Sequence, residues 1–263
     1  MITIESKENN LFKDTKKLKD RKGRTKSSKY IIEGFRLVEE AFKARISIEY
    51  LFLQQGEEEK LYKYLGEYLN NTKIFILREQ LFRELSSTSK PQGIIAVVKI
   101  IENQIKKEGN FYLLCDKIQD PGNLGTIIRT AHAAGVDGII LTKGTVDIFN
   151  DKTIRATMGS MFYVPILFED DNLTITKSLI NKGFSLLATS LEGENDFFKE
   201  DLTGKVVVTV GNEGNGVSNE IYNLCTKKVK IPMPGGAESL NVGVATSIIL
   251  YEKVRQSLIF INE

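Results

Sequence analysis

Lys205-Val206-Val207-Val208-Thr209-Val210-Gly211-Asn212-Glu213-Gly214-Asn215-Gly216-Val217-Ser218 decides how this chain folds. Val206–Val210 is valine at every position but Thr209, a near-continuous apolar run that marks a strand buried on both faces, as at the centre of a parallel sheet. Three glycines follow directly, and a helix is expected from Ser218. A strand, a glycine loop and a helix in that order form the unit of an open α/β sheet, where ligands sit beyond the C-terminal strand ends. Glycines let backbone approach a flat ring or a phosphate closely. The spacing is neither G-x-x-x-x-G-K-[ST] nor G-x-G-x-x-G, which sets aside a P-loop and a dinucleotide fingerprint.

Outward from this centre the pattern is regular. Upstream, strands are expected at Phe111–Asp116, Gly138–Thr142, Pro165–Phe168 and Ser185–Thr189. Helices are expected at Asn123–Ala134, Lys152–Met158 and Leu173–Lys182. Downstream come a strand at Lys228–Ile231 and a last helix over Val242–Leu258. This defines a mostly parallel α/β domain over 106–263. The polar stretch Glu102–Gly109 is the expected boundary. Before it, residues 1–105 alternate strands (Tyr30–Gly34, Ile48–Leu53, Ile74–Leu77, Gly93–Ile101) with helices (Phe35–Lys43, Leu61–Leu69, Glu79–Leu85), a second and smaller α/β domain.

Charge is unevenly spread. Residues 1–105 hold 20 Lys/Arg against 15 Asp/Glu, and residues 106–263 hold 16 against 19, around a net of +2. Much of the excess lies in Lys13–Lys29, read as a helix end and loop, where Lys17, Lys19, Arg21, Lys22, Arg24 and Lys26 are candidates for phosphate contact. No apolar run reaches the roughly 18–20 residues of a membrane span, and the N-terminus lacks a signal-peptide core. Cys115 and Cys225 are too few for a disulfide framework or a zinc site, so both are expected as buried packing residues in a cytoplasmic protein. No cluster with metal-ligand spacing is present, and no metal is expected.

Two further stretches carry polar residues suited to a site. In Asp116–Arg129, D-K-I-Q-D-P-G-N-L-G-T-I-I-R, a Pro-Gly turn precedes a helix expected to be capped by Asn123. Arg129 lies just under two turns further on and is expected to project from nearly the same face, in an otherwise small and apolar helix, where an arginine needs an anionic or polar partner. In Ile231–Leu250, I-P-M-P-G-G-A-E-S-L-N-V-G-V-A-T-S-I-I-L, prolines and glycines feed Ser239 and Asn241 into a helix start. Such an irregular backbone can form a pocket wall for a ligand's polar edges. The single histidine, His132, has no carboxylate or serine partner in sequence reach and is not assigned a catalytic role.

Taken in order, D-P-G-N-L-G-T-I-I-R-T-A, G-N-E-G-N-G-V-S and I-P-M…E-S-L-N-V resemble the three motifs of the SpoU/TrmH RNA 2′-O-ribose methyltransferases of the SPOUT class. The first domain resembles the small ribosomal-protein-type α/β domain that often precedes that catalytic domain, through Glu33-Gly34…Val38-Glu39-Glu40-Ala41 and Pro91-Gln92-Gly93. The resemblance implies S-adenosylmethionine as methyl donor, a homodimer through the C-terminal domain and a deep trefoil knot. It implies a cofactor site of Gly211, Asn212, Gly214, Gly216, Ile231, Met233, Leu240 and Asn241. The active-site set it implies is Asn123, Arg129, Glu213, Ser239 and Asn241, with Arg155 near the RNA. Two positions depart from the family pattern: Thr157 and Gly243 stand where serine is commoner.

The implied reaction methylates a ribose 2′-hydroxyl in structured RNA. Ribosomal RNA of the large subunit is the expected substrate and transfer RNA the alternative, with a non-catalytic RNA-binding protein as the rival class. Arg129 is expected to stabilise the developing alkoxide as a cation, because a guanidinium keeps its proton in proteins and so makes a poor neutral base. Glu213 is expected to orient Arg129 or Asn123.

Overall fold

The structure, a computed structural model, describes residues 1–261 except 70, 71, 192 and 194. The chain divides into two compact units, Met1–Ile101 with Asp147–Phe162, and Glu102–Val146 with Tyr163–Glu263. A single cut near residue 105 therefore misses one feature: Asp147–Phe162 packs with the first unit.

The first unit is built on a five-stranded mixed sheet of β1 (Ile2–Ile4), β2 (Lys29–Glu33), β3 (Ile48–Gln54), β4 (Ile74–Leu77) and β5 (Ile94–Lys99), in the order β1-β4-β3-β5-β2. β3 pairs parallel to β4 and antiparallel to β5. Its helices are α1 (Asn10–Lys17), α2 (Arg21–Ser27), α3 (Phe35–Lys43), α4 (Glu58–Leu65) and α5 (Glu79–Leu85). The basic run is thus two short helices rather than a helix end and loop. Asn9 caps α1 by accepting from the N–H of Leu11 and Phe12. Phe12, Thr15 and Leu18, at three-residue spacing, are buried beneath the lysines.

Arg24 departs from the expectation of an RNA contact. It is 6% exposed, and its guanidinium donates to Asp147 Oδ2 at 2.6 Å and to the carbonyls of Leu18 and Lys19, each at 2.8 Å. Tyr30 packs on Phe149, with ring centroids 4.7 Å apart. These contacts hold the 147–162 segment to the first unit.

The second unit carries a seven-stranded sheet of β6 (Phe111–Cys115), β7 (Gly138–Leu141), β8 (Ile166–Phe168), β9 (Ser185–Thr189), β10 (Asn195–Asp196), β11 (Val206–Val210) and β12 (Lys227–Lys230). Their order is β10-β12-β9-β11-β6-β7-β8, and every pairing is parallel. β11 stands in the middle of the seven, with all five residues buried. Each side chain of that size buried is worth roughly 1.5–3 kcal/mol. The remaining helices are α6 (Pro121–Ala133), α7 (Asp151–Thr157), α8 (Thr174–Asn181), α9 (Asn219–Tyr222) and α10 (Val242–Ile261). Of these, α7 belongs to the first unit. Cys115 is buried, and burial pushes its thiol pKa far up. Cys225 is only partly buried. Among the described residues, no helix is long and apolar enough to cross a membrane.

Candidate cofactor and active site

Beyond the C-terminal ends of β9, β11 and β12 lies a cavity of about 700 Å³, within the roughly 300–1,000 Å³ typical of small-molecule sites. The loop after β11 forms one side of it, through Gly211, Asn212, Glu213, Gly214 and Gly216. The 231–241 stretch forms another, through Ile231, Met233, Ser239, Leu240 and Asn241. Every residue expected at the cofactor is therefore in one lining. Leu191, Val210 and Tyr222 add apolar surface that sequence reasoning did not single out.

The glycine loop closes on itself. Asn212 and Gly216 exchange backbone hydrogen bonds of 2.9 and 3.0 Å. Asn212 Oδ1 accepts from the N–H of Gly214 and Asn215, each at 3.0 Å, and its Nδ2 donates to Lys117 O at 2.9 Å. A Cβ on Gly211 would lie 2.1 Å from Gly216 C, so no side chain fits where the strand turns back. Asp116 anchors the same region: its carboxylate accepts from Thr142 Oγ1 at 2.9 Å and from Ser218 N at 2.7 Å. It stood at the head of the first motif without an assigned role, because its partners are 26 and 102 residues away.

Three polar residues from three segments join beside the cavity. Asn123 Nδ2 donates to Glu213 Oε1, and Asn241 Nδ2 donates to Asn123 Oδ1, both at 2.9 Å. Asn241 Oδ1 then accepts from the N–H of Gly243 (2.9 Å) and Val244 (3.3 Å), capping α10. Glu213 also accepts from the N–H of Gln119 and Asp120, each at 3.1 Å. Partial burial pushes the Glu213 pKa up, but the bonds from Asn123, Gln119, its own N–H and Asp120 outweigh it and hold the carboxyl below its ordinary value. Glu213 thus orients Asn123, and among the described residues it has no bond to Arg129.

Two local expectations change. The N-cap of α6 is Asp120, which accepts from Asn123 N at 2.8 Å, with Pro121 opening the helix. Asn123 is freed from capping for the polar chain above. At Gly243, a Cβ would meet Asn241 Oδ1 and Thr126 Cγ2, each at 3.2 Å. The missing side chain lets α10 pack close on α6, where Thr130 Oγ1 and Ser247 Oγ are 3.1 Å apart. The capping oxygen comes from Asn241 instead.

Arg129 is exposed on α6 and does not line the cavity. Six residues at about 100° each turn it roughly 120° from Asn123, not onto the same face. Its side chain makes no hydrogen bond or ion pair among the described residues, so the five guanidinium donors are uncommitted. Arg155 lies on α7 in the first unit and pairs with Asp151 at 3.0 Å. Of the basic run, Lys17 pairs with Asp14 at 2.8 Å, and Lys19 donates to the carbonyls of Glu84 and Ser86. The side chains of Arg21, Lys22 and Lys26 have no hydrogen bond or ion pair among the described residues. His132 stacks on Tyr163, with centroids 4.8 Å apart and planes 3° apart.

The site suits a cofactor with a flat ring and polar edges: apolar walls, exposed backbone of a glycine loop, and neutral side-chain donors. A parallel sheet with such a cavity at its C-terminal edge defines a cofactor-binding α/β domain. Residues 110–251 match the model of the SpoU rRNA Methylase family, and residues 9–96 match that of the MRM3-like substrate binding domain. The chain is 36% identical over 252 residues to the 23S rRNA (guanosine(2553)-2'-O)-methyltransferase RlmP of Bacillus subtilis, covering 95% of this chain and 98% of that one. It is 35% identical over 240 residues to the 23S rRNA (guanosine-2'-O-)-methyltransferase RlmB of Shewanella oneidensis, covering 86% and 97%. The crystal structure of the SpoU methyltransferase AviRb from Streptomyces viridochromogenes in complex with AdoMet superposes with a TM-score of 0.87 at 29% identity, covering 95% and 98%. The chain belongs to the SpoU rRNA methylase family.

Proposed function

We propose that this protein transfers a methyl group from S-adenosylmethionine to a ribose 2′-hydroxyl in RNA of the large ribosomal subunit. The observation that carries the reading is the Glu213–Asn123–Asn241 chain beside a cavity framed by the two motif loops. The relatives named for 23S rRNA support the substrate class.

S-adenosylmethionine, when bound, supplies an electrophilic sulfonium methyl. The 211–216 loop and the 231–241 stretch would hold it by backbone and apolar contact. Asn123, Ser239 and Asn241 present neutral hydrogen-bonding groups for the ribose and cofactor edges. Asn123 is fixed at both ends of its amide, so it costs little reorganisation during reaction. Arg129, charged and uncommitted, would hold the target hydroxyl or its adjacent phosphate and stabilise the developing alkoxide. Residues 1–105 would hold the RNA, with Arg21, Lys22 and Lys26 as free cations and Arg155 as a further contact.

A homodimer is proposed on the exposed apolar stripe of α10, where Val244, Tyr251 and Leu258 recur every seven residues at 49%, 52% and 55% exposure. A knotted path of the 231–241 stretch and a cytoplasmic setting belong to the same reading. The test is labelled methyl transfer to RNA from cells lacking the gene, followed by alkaline hydrolysis. A 2′-O-methyl group removes the nucleophile that alkali needs, so label should appear in alkali-resistant dinucleotides of large-subunit RNA. Label confined to alkali-sensitive nucleotides would point to base methylation and overturn the reading.

A further inference from the structure

The first unit holds a second large cavity, of about 570 Å³, on the sheet face covered by α1 and α2. Its apolar surface includes Leu11 and Leu18 of the α1 segment, Tyr50 of β3 and Phe75 of β4. Tyr50 is nearly buried, fixed by a 3.0 Å contact between its hydroxyl and Thr15 Oγ1. Its ring meets that of Phe75 edge to face, centroids 5.9 Å apart. Phe75 remains half-buried, because the two short helices do not cover it fully.

The rim is polar in a particular mixture. Lys26 and Lys73 line the cavity, and the side chain of neither makes a hydrogen bond or ion pair among the described residues. Asp14 and Glu49 line it as well, Asp14 held by Lys17 at 2.8 Å and Glu49 by Lys29 at 2.7 Å and Lys99 at 3.1 Å. Lysines alone would suit any phosphate. An acidic peptide would suit the lysines, which outnumber the carboxylates, but offers no flat ring to the aromatic floor. A duplex keeps its bases stacked and inaccessible to a recess of this kind. One ligand uses all three features: an unstacked nucleotide, whose base offers a π-face to aromatic rings, N–H donors to carboxylates, and phosphates to free lysines.

We propose that this cavity receives one unstacked nucleotide of the RNA substrate, so that the first unit selects a single-stranded or looped segment. The base rests on the Tyr50–Phe75 surface, Asp14 and Glu49 accept from its N–H edge, and Lys26 and Lys73 take the flanking phosphates. This rests on the RNA reading above but concerns a different site from methyl transfer.

The test measures binding of the full chain to a short single-stranded ribo-oligonucleotide and to a duplex of the same length across a salt series. Phe75→Leu, which keeps apolar volume but removes the ring, should weaken single-strand binding roughly five- to 100-fold and barely change duplex binding. Lys73→Gln, at an exposed position, should reduce the salt slope by about one. It carries the test if Phe75→Leu fails to fold. A 4-thiouridine oligonucleotide should photo-cross-link to Tyr50 or Phe75. If the wild-type chain binds and methylates RNA while the folded variants bind within twofold of it, the cavity proposal is overturned and the methyltransferase reading stands. If the wild-type chain neither binds nor methylates RNA, the functional reading fails and takes this site with it.

Discussion

Asn241 Nδ2 donates to Asn123 Oδ1 at 2.9 Å across 118 residues of sequence, while Asn241 Oδ1 caps α10. One side chain thus joins the start of α6 to the start of the last helix, and Glu213 holds the other end of the Asn123 amide. The geometry of the site depends on these amides being present together.

Asn241→Ala removes an N-cap and the tie to Asn123. The cap alone is worth about 0.5–2 kcal/mol. Thermal denaturation should show a lower Tm, and a double-mutant cycle with Asn123→Ala should be non-additive by about 0.5–3 kcal/mol. Strict additivity would mean that the two asparagines act independently.

Glu213 gives a pH dependence of known sign. Its folded pKa lies below the ordinary value, so its contribution is fully present above about 4.5 and is lost as pH falls through the folded pKa. The Tm gap between the wild-type chain and Glu213→Gln should be constant from neutral pH to about 5 and narrow in stronger acid. A gap that widened in acid would reverse the assignment.

Arg24→Ala should act on stability rather than directly on RNA. The side chains of Arg24 and Asp147 are 8% and 16% exposed, and removing one partner strands the other. Such losses cost about 3–5 kcal/mol. Urea denaturation followed by circular dichroism should register this. Normal stability with weakened RNA binding would instead return Arg24 to the RNA-contacting set.

Neutralising Arg21, Lys22 and Lys26 together should flatten the salt dependence of RNA binding by nearly one unit of log–log slope per lost phosphate contact. An unchanged slope would leave these residues as a solvated face.

Periodicity made most of the second unit legible. Phe111–Cys115 and, but for Thr209, Val206–Val210 are apolar, and such runs belong to buried parallel strands. The cofactor-facing loops were readable from glycine and proline placement. What local sequence could not show are partners set by tertiary distance. Arg24 sits in a run of surface cations, yet its carboxylate is 123 residues away. Asp116 reads as a strand end until Thr142 and Ser218 converge on it. Asn123 seemed a cap, but Asp120 takes that role because Pro121 opens the helix. α1 and α2 were obscured because three buried positions are outnumbered by charges.

Arg129 carries the central claim, since it is uncommitted and lies outside the cofactor cavity. The decisive measurement is the single-turnover rate of methyl transfer by Arg129→Ala at saturating S-adenosylmethionine, with cofactor affinity measured in parallel by calorimetry. The expected result is a loss of roughly 100–1,000-fold in rate with cofactor affinity unchanged. A rate close to wild type with intact cofactor binding would contradict the account.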